Sequence, residues 1–304
     1  LLRSEKSAEC QPECVTIDSH LDEIIRQALK EDLPDGVDAT TDPLIAEGEV
    51  AKGVVLAKAD GILAGTEPAR RVFHQLDAEL QLETLKTDGN TLKPGDEILH
   101  IKGNLRAILR GERTALNFLC RLSGIATLTA KFVQAIRGLS VAILCTRKTS
   151  PGLRALEVQA VKTGGGDCYR TNLGDEILIK DNHLAALGSL PGLSHRLKEL
   201  SEKAPDVRRK ILERGKLEVT SVEELKEGLH LGFKSFLLDN FPVSEVVQAV
   251  RGVPPGIFLE VSGGVNLDNV RAYAETGVQA ISIGALTHSA PTLDLSLEID
   301  GRRS

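Results

Sequence analysis

No apolar run in this 304-residue chain approaches the ~20 residues that a membrane-spanning helix needs. The stretch from Leu1 to Cys14 is polar and lacks the apolar centre of a secretion signal. A cytoplasmic protein that does not enter the membrane is therefore expected. A basic excess is also missing, since 37 Lys and Arg stand against 43 Asp and Glu, a formal net charge of -6. Proteins that track nucleic-acid phosphates carry a positive surplus, so a broad nucleic-acid surface is excluded and any anionic ligand must be met by a local basic cluster. Cysteine is scarce and odd in number, five in all, which argues against a disulfide framework and for a reducing compartment. Cys10 and Cys14 could supply half of a metal site, but no second Cys/His pair at a matching spacing follows. Methionine is absent altogether, so every motif below rests on other residue types.

What is present suits a folded domain. Apolar residues make up 41% and charged residues 26%, which sets disorder aside. The length admits one large α/β unit or two domains of unequal size.

The first third contains an amphipathic stretch at 21–29 and strand-like runs at 54–59, 80–85 and 98–101. Short strands with few helices predict an antiparallel sheet packed on helices. Residues 112–136 read as a long helix joining two domains, with Leu116, Leu119, Ser123 and Ala126 at helical spacing and Gly124 as a candidate kink. Beyond it, short apolar runs at 141–145, 177–179, 217–219, 235–238, 257–261 and 280–283 alternate with helical patterns at 156–163, 193–202, 222–231, 243–250 and 267–276. That is the alternation of a parallel sheet, and a barrel, complete or incomplete, is its natural closure.

Polar residues collect where these strands end. Thr146, Arg147 and Lys148 follow the first, Lys180, Asp181, Asn182 and His183 the second, and Asp239 and Asn240 the fourth; Ser262, Gly263 and Gly264 end the fifth, and Gly284 and Ala285 the sixth. Ligands bind at that end of α/β barrels, so distant segments are predicted to share one pocket. Arg147, Lys148, Arg170 and Lys180 would form the basic cluster that an acidic protein needs for a polyanion, with guanidinium forks suited to carboxylates and phosphates. Taken singly, each could merely pair with a surface acid. Glu218 and Asp239 lie on consecutive predicted strands, and could hold a hard cation such as Mg2+ or act as counter-ions for nearby lysines. The bare amides of Ser262, Gly263, Gly264 and Gly284 suit an anion-binding concavity, whereas Gly164, Gly165 and Gly166 suit the closing of a helix. His183 and His288 are read as hydrogen-bonding scaffold rather than catalysts.

Those residues carry a resemblance. The run from Cys145 to Arg154, then Gly164 to Gly166, Arg170 and Ile179 to His183, is similar to the signature of quinolinate phosphoribosyltransferases, and so are Gly111 to Asn117, Leu238 to Asn240, Ser262 to Gly264 and Gly284 to His288. These matches run in order from about 111 to 290. The resemblance implies an α/β protein with an N-terminal α/β sandwich domain over 1–116 and an incomplete parallel α/β barrel over 117–289, with the tail 290–304 packing on the first. It also implies a homodimer whose active sites are shared between subunits. Quinolinate would be bound by Thr146, Arg147, Tyr169, Arg170 and Lys180, joined by Arg113 of a second copy. Phosphoribosyl pyrophosphate would be bound by Lys148, Glu218, Asp239, Ser262, Gly263, Gly264, Ile283, Gly284 and Ala285. Mg2+ would sit on Glu218 and Asp239, and Lys148, Lys180, Glu218 and Asp239 would be the catalytic set. The product would be nicotinate mononucleotide, on the route to NAD.

The chain departs from the family pattern at two places. Tyr169 stands where the family carries His, and can donate a hydrogen bond but brings no positive charge. Lys216 replaces the first Glu of a Glu-Val-Glu-Val strand, and should share a face with Glu218 and reverse a charge there. Three rival readings remain: a paralogue acting on another aromatic acid, a barrel lyase using Lys180 as a Schiff-base nucleophile, and a phosphate-ligand sensor without turnover.

Overall fold

In the computed structural model, residues 17–300 are described, and Cys10 and Cys14 lie outside them. Two compact units divide the chain: 1–120 with 294–304, and 121–293. The first begins with helices α1 (Ile17–Asp32) and α2 (Thr41–Leu44), strands β1 (Val50–Ala57) and β2 (Gly61–Ile62), and helix α3 (Thr66–Leu76). Strands β3 (Gln81–Thr84), β4 (Thr91–Leu92) and β5 (Glu97–Asn104) follow, then helix α4 (Leu105–Ala135). On α1, Leu21, Ile25 and Leu29 recur every fourth residue and are all buried, which makes the helix amphipathic. On β1, Gly53, Val55 and Ala57 are buried while their neighbours are not, the period of two of a one-faced sheet. The strands pair antiparallel, with β1 beside β5 and β5 beside β3.

Helix α4 starts seven residues before the position 112 expected from its apolar spacing. The overlooked signal is Asn104, whose side-chain carbonyl accepts the Ala107 amide at 3.2 Å and so caps the first turn. The helix then runs through Gly124 to Ala135 without a break.

The second unit alternates regularly. Strand β6 (Ala142–Leu144) is followed by α5 (Arg154–Thr163), and β7 (Leu178–Ile179) by α6 (Asp181–Leu187), α7 (Ser189–Lys203) and α8 (Pro205–Arg214). Next come β8 (Lys216–Val219), α9 (Val222–Leu231), β9 (Ser235–Asp239), α10 (Val243–Gly252), β10 (Phe258–Ser262), α11 (Val270–Ala274), β11 (Ala280–Ser282) and α12 (Ala285–His288). Their order in space is β7-β8-β9-β10-β11-β6, every pair parallel. The first strand thus sits beside the last, as closure of a barrel demands, but β6 and β7 are not paired and the barrel is incomplete. Strands β9, β10 and β11 are buried across both faces at their centres, hence the continuous apolar runs in their sequence. Helix α11 is shorter than the apolar pattern at 267–276 suggests, because Asn266 to Asn269 form a turn in which the Asn269 side chain accepts the Asn266 amide at 2.8 Å. The last strand, β12 (Leu295–Ile299), belongs to the first unit and pairs antiparallel with β1.

Candidate active site

The C-terminal ends of the parallel strands open into a cleft of about 570 Å³ within the second unit. It is lined by every residue singled out from the sequence for substrate binding except Arg113. Arg113 stands exposed on α4 in the other unit.

Besides Lys216, four cations line this cleft: Arg147, Lys148, Arg170 and Lys180. The bland reading, in which they pair with surface acids, does not hold: among the ion pairs of the described residues none involves any of the four. The Nε atoms of Arg147 and Arg170 are buried and have no hydrogen-bond partner. A buried donor left unmatched costs about 1–3 kcal/mol.

Buried contacts fix the loop that carries two of them. Glu157 on α5, fully buried, accepts Arg121 at 2.8 Å and the Ser150 amide at 3.2 Å. Arg121 also donates to the Thr287 carbonyl, and the Thr287 hydroxyl donates to the Lys148 carbonyl at 2.7 Å. The loops after β6 and β11 are thereby joined. Arg154 spans from the Thr149 hydroxyl, at 2.9 Å, to the Thr171 carbonyl, at 3.0 Å, so the segments carrying Arg147 and Arg170 are tied together.

Opposite lie two carboxylates. Glu218 and Asp239 come from adjacent strands β8 and β9, and Asp239 accepts the Ser262 hydroxyl at 2.7 Å and the Asn240 side-chain amide at 2.8 Å. Burial raises the Glu218 carboxyl above the usual range; Lys180 draws it down and Asp239 pushes it up. Beside them Gly263 has φ +87°, and an added Cβ would lie 2.2 Å from the Asn240 side-chain oxygen. No other residue fits that turn without displacing Asn240, so the amides after β10 stay bare. At Gly284, an added Cβ would lie 3.1 Å from Lys148 Cδ and 3.0 Å from His288 Nε2, which places both side chains over the loop after β11.

Some roles were visible from sequence and others were not. His183 accepts the Lys180 amide at 3.0 Å through Nδ1 and caps α6, a scaffold role as expected. Gly164 caps α5, but it is also a point of close approach: an added Cβ would lie 2.3 Å from the Ala126 carbonyl oxygen. Lys216 shares the cleft face with Glu218, yet its charge is not left reversed there. Its ammonium reaches Glu260 at 2.6 Å and Glu176 at 3.1 Å, and Glu260 also accepts the Ser282 hydroxyl. Burial alone would depress the lysine, but Glu260 and Glu176 together outweigh it and hold Lys216 above its ordinary range. Glu176 and Glu260 were missed. The available signal was parity, because Glu260 is two residues before Ser262 on one strand and must share its face. Tyr169 is about half exposed at the rim, and burial, Asp167 and Glu260 raise its hydroxyl above the ordinary phenol range.

Two family profiles match the chain: the N-terminal domain of quinolinate phosphoribosyl transferase over residues 38–123, and the C-terminal domain over 125–298. The chain belongs to the quinolinate phosphoribosyltransferase family. It is 40% identical over 281 residues to the nicotinate-nucleotide pyrophosphorylase (carboxylating) of Mycobacterium leprae, covering 90% of this chain and 95% of that one. It is 36% identical to the probable enzyme of that name from Bacillus subtilis, covering 92% and 93%. The structure of the nicotinate-nucleotide pyrophosphorylase from Francisella tularensis superposes with a TM-score of 0.83 at 33% identity, covering 93% of this chain and 97% of that one.

Proposed function

We propose that the protein transfers the phosphoribosyl group of phosphoribosyl pyrophosphate to quinolinate and decarboxylates the adduct, giving nicotinate mononucleotide, carbon dioxide and pyrophosphate. The supporting observation is the set of four cations that make no ion pair among the described residues and line one cleft together with Glu218 and Asp239. Quinolinate is a dianion and phosphoribosyl pyrophosphate a polyanion, so together they supply the charge this wall needs. Arg147, Arg170 and Lys180, with Thr146 and Tyr169, hold the two carboxylates of quinolinate. Lys148 and the bare amides of Ser262 to Gly264 and Ile283 to Ala285 hold the phosphates.

In the first step the bond from ribose C1 to pyrophosphate breaks, and its electron pair leaves with the pyrophosphate. The ring nitrogen of quinolinate then bonds to C1. Lys148 stabilises the departing anion, while Glu218 and Asp239 tolerate positive charge at C1. The adjacent pyridinium nitrogen so formed stabilises the electron pair left on C2 as carbon dioxide departs, and that pair then takes up a proton. The clamp of Arg147, Arg170 and Lys180 orients the ring; little more is required.

Two carboxylates, with no cluster of three or more His, Cys, Asp or Glu among the described residues, are the donor set of an ion that draws its remaining ligands from water and phosphate. Glu218 and Asp239 would hold Mg2+, which when bound neutralises charge on the pyrophosphate. Asp239→Asn should lower kcat by about 10²–10³-fold and raise the magnesium concentration needed for half-maximal rate. An unchanged magnesium dependence would show that this carboxylate serves only as a counter-ion.

Arg113 would complete the site of a second copy in a homodimer. Co-expressing an Arg113→Ala chain with a Lys148→Ala chain should recover about a quarter of wild-type sites, because each mixed dimer rebuilds one. Absence of recovery would place Arg113 outside the shared site. Three free thiols among the described residues suit a cytoplasmic setting. The deciding assay is formation of nicotinate mononucleotide from quinolinate, phosphoribosyl pyrophosphate and magnesium, beside the same mixture with nicotinate. Turnover with quinolinate alone supports the proposal; with neither, despite binding of phosphoribosyl pyrophosphate, the reading fails in favour of a different aromatic acid or a sensor.

A further inference from the structure

Cys145 directly follows β6 and opens the loop that carries Arg147, while Cys168 stands two residues before Arg170. A parallel bridge joins Leu144 to Asp167, with the Asp167 amide on the Ile143 carbonyl at 2.9 Å and the Cys145 amide on the Asp167 carbonyl at 3.0 Å. The next residue on each segment is a cysteine. Parallel neighbours are spaced about 4.8 Å apart, inside the roughly 4.4–6.8 Å range between Cα atoms that a disulfide accepts. The Cys168 thiol donates to the Arg170 carbonyl oxygen at 3.5 Å. Cys145 is buried facing the cleft and Cys168 is half-buried, so an oxidant has one sulfur to meet. The proposed reaction uses neither.

We propose that Cys145 and Cys168 form a dithiol oxidation site for small-molecule disulfides, and that its closed, disulfide form shuts down the carboxylate-binding end of the cleft. The Cys168 thiolate attacks one sulfur of the oxidant, whose S–S bond breaks to release one thiolate. Cys145 gives up its proton and attacks Cys168 of the mixed disulfide, releasing the second. Two protein thiols are oxidised by two electrons, and the disulfide is reduced to two thiols. The division of roles follows from the surroundings. The neighbouring Cys145 brings the Cys168 thiol down to about 7, helped by the Arg170 backbone and Lys162 against burial and Asp167. Cys145, buried beside that sulfur, is pushed up and keeps its proton until the second step. Closing the bridge locks covalently two segments that each carry, two residues on, an arginine of the anion wall.

The loss of activity rests on the function proposed above; formation of the bridge does not. The full chain, treated with oxidised glutathione and mapped by peptide mass, should show Cys145 linked to Cys168, with the rate of linkage falling about tenfold per pH unit below 7. Turnover of quinolinate should fall at least tenfold and return with dithiothreitol. Cys168→Ser should resist the oxidant and keep its turnover. No Cys145–Cys168 peptide under excess oxidant overturns the site, and a linked protein with full turnover overturns its control of the cleft. A chain without quinolinate turnover before oxidation counts against the proposed function alone, since the peptide map still decides the site.

Discussion

Arg170→Leu lowers kcat/KM for quinolinate by about 10²–10⁴-fold, with a smaller change in the KM for phosphoribosyl pyrophosphate. Each hydrogen bond to a charged group contributes about 1.5–3 kcal/mol, and a guanidinium can place two on one carboxylate. Two such bonds, about 3–6 kcal/mol, convert at 1.4 kcal/mol per tenfold to that range. The side chain has no ion-pair partner among the described residues, and its Nε is already buried without a partner, so little internal structure is lost with it. Arg170→Lys should recover only part of the loss, because an ammonium keeps the charge and loses the fork. Arg147→Leu should behave alike. Steady-state kinetics with each substrate varied in turn checks this; equal losses for both substrates would mean that the residue shapes the cleft rather than binds quinolinate.

Breaking the ion pair beneath the cleft should cost more stability than any surface change. Lys216 and Glu260 are both almost fully buried, with side-chain exposures of 5% and 6%, and their 2.6 Å contact belongs to a group that includes Glu176 and Ser282. Lys216→Met strands a buried carboxylate that keeps only its hydroxyl partner. Removal of one partner of such a pair costs about 3–5 kcal/mol. Lys216→Met combined with Glu260→Gln should restore most of that, because the pair as a whole is worth far less than an uncompensated charge. Urea unfolding of the two single variants and the double variant measures the coupling. A single-variant loss below about 1 kcal/mol would show that water reaches the site and screens it.

The geometry of this pair also shows where sequence reasoning runs out. Lys216 was expected to share a face with Glu218, and parity alone establishes that. Parity cannot say that Lys216 meets Glu260, because the two lie on β8 and β10 with β9 between them. They meet inside the barrel, where inward residues of alternate strands form one layer. A charge that reads as a reversal in one strand is neutralised by another strand 44 residues away. Cys145 and Cys168 are a similar case: nothing in their spacing marks them as neighbours, and only the bridge between Leu144 and Asp167 does. By contrast, the early start of α4 was within reach of sequence, since Asn104 is an N-cap residue type standing before an apolar run.

The sequence by itself determined the alternation of strands and helices, the gathering of Arg147, Lys180, Asp239 and Ser262 at strand ends, and membership of a family. These are local properties, set by periodicity along the chain and by which residue types follow each apolar run. The tertiary structure alone decided that β6 lies beside β11, that four cations of the cleft form no ion pair among the described residues, and which carboxylates compensate Lys216. Those depend on closing the sheet around a common interior, and electrostatic energy there is governed by distance and burial rather than by separation along the chain.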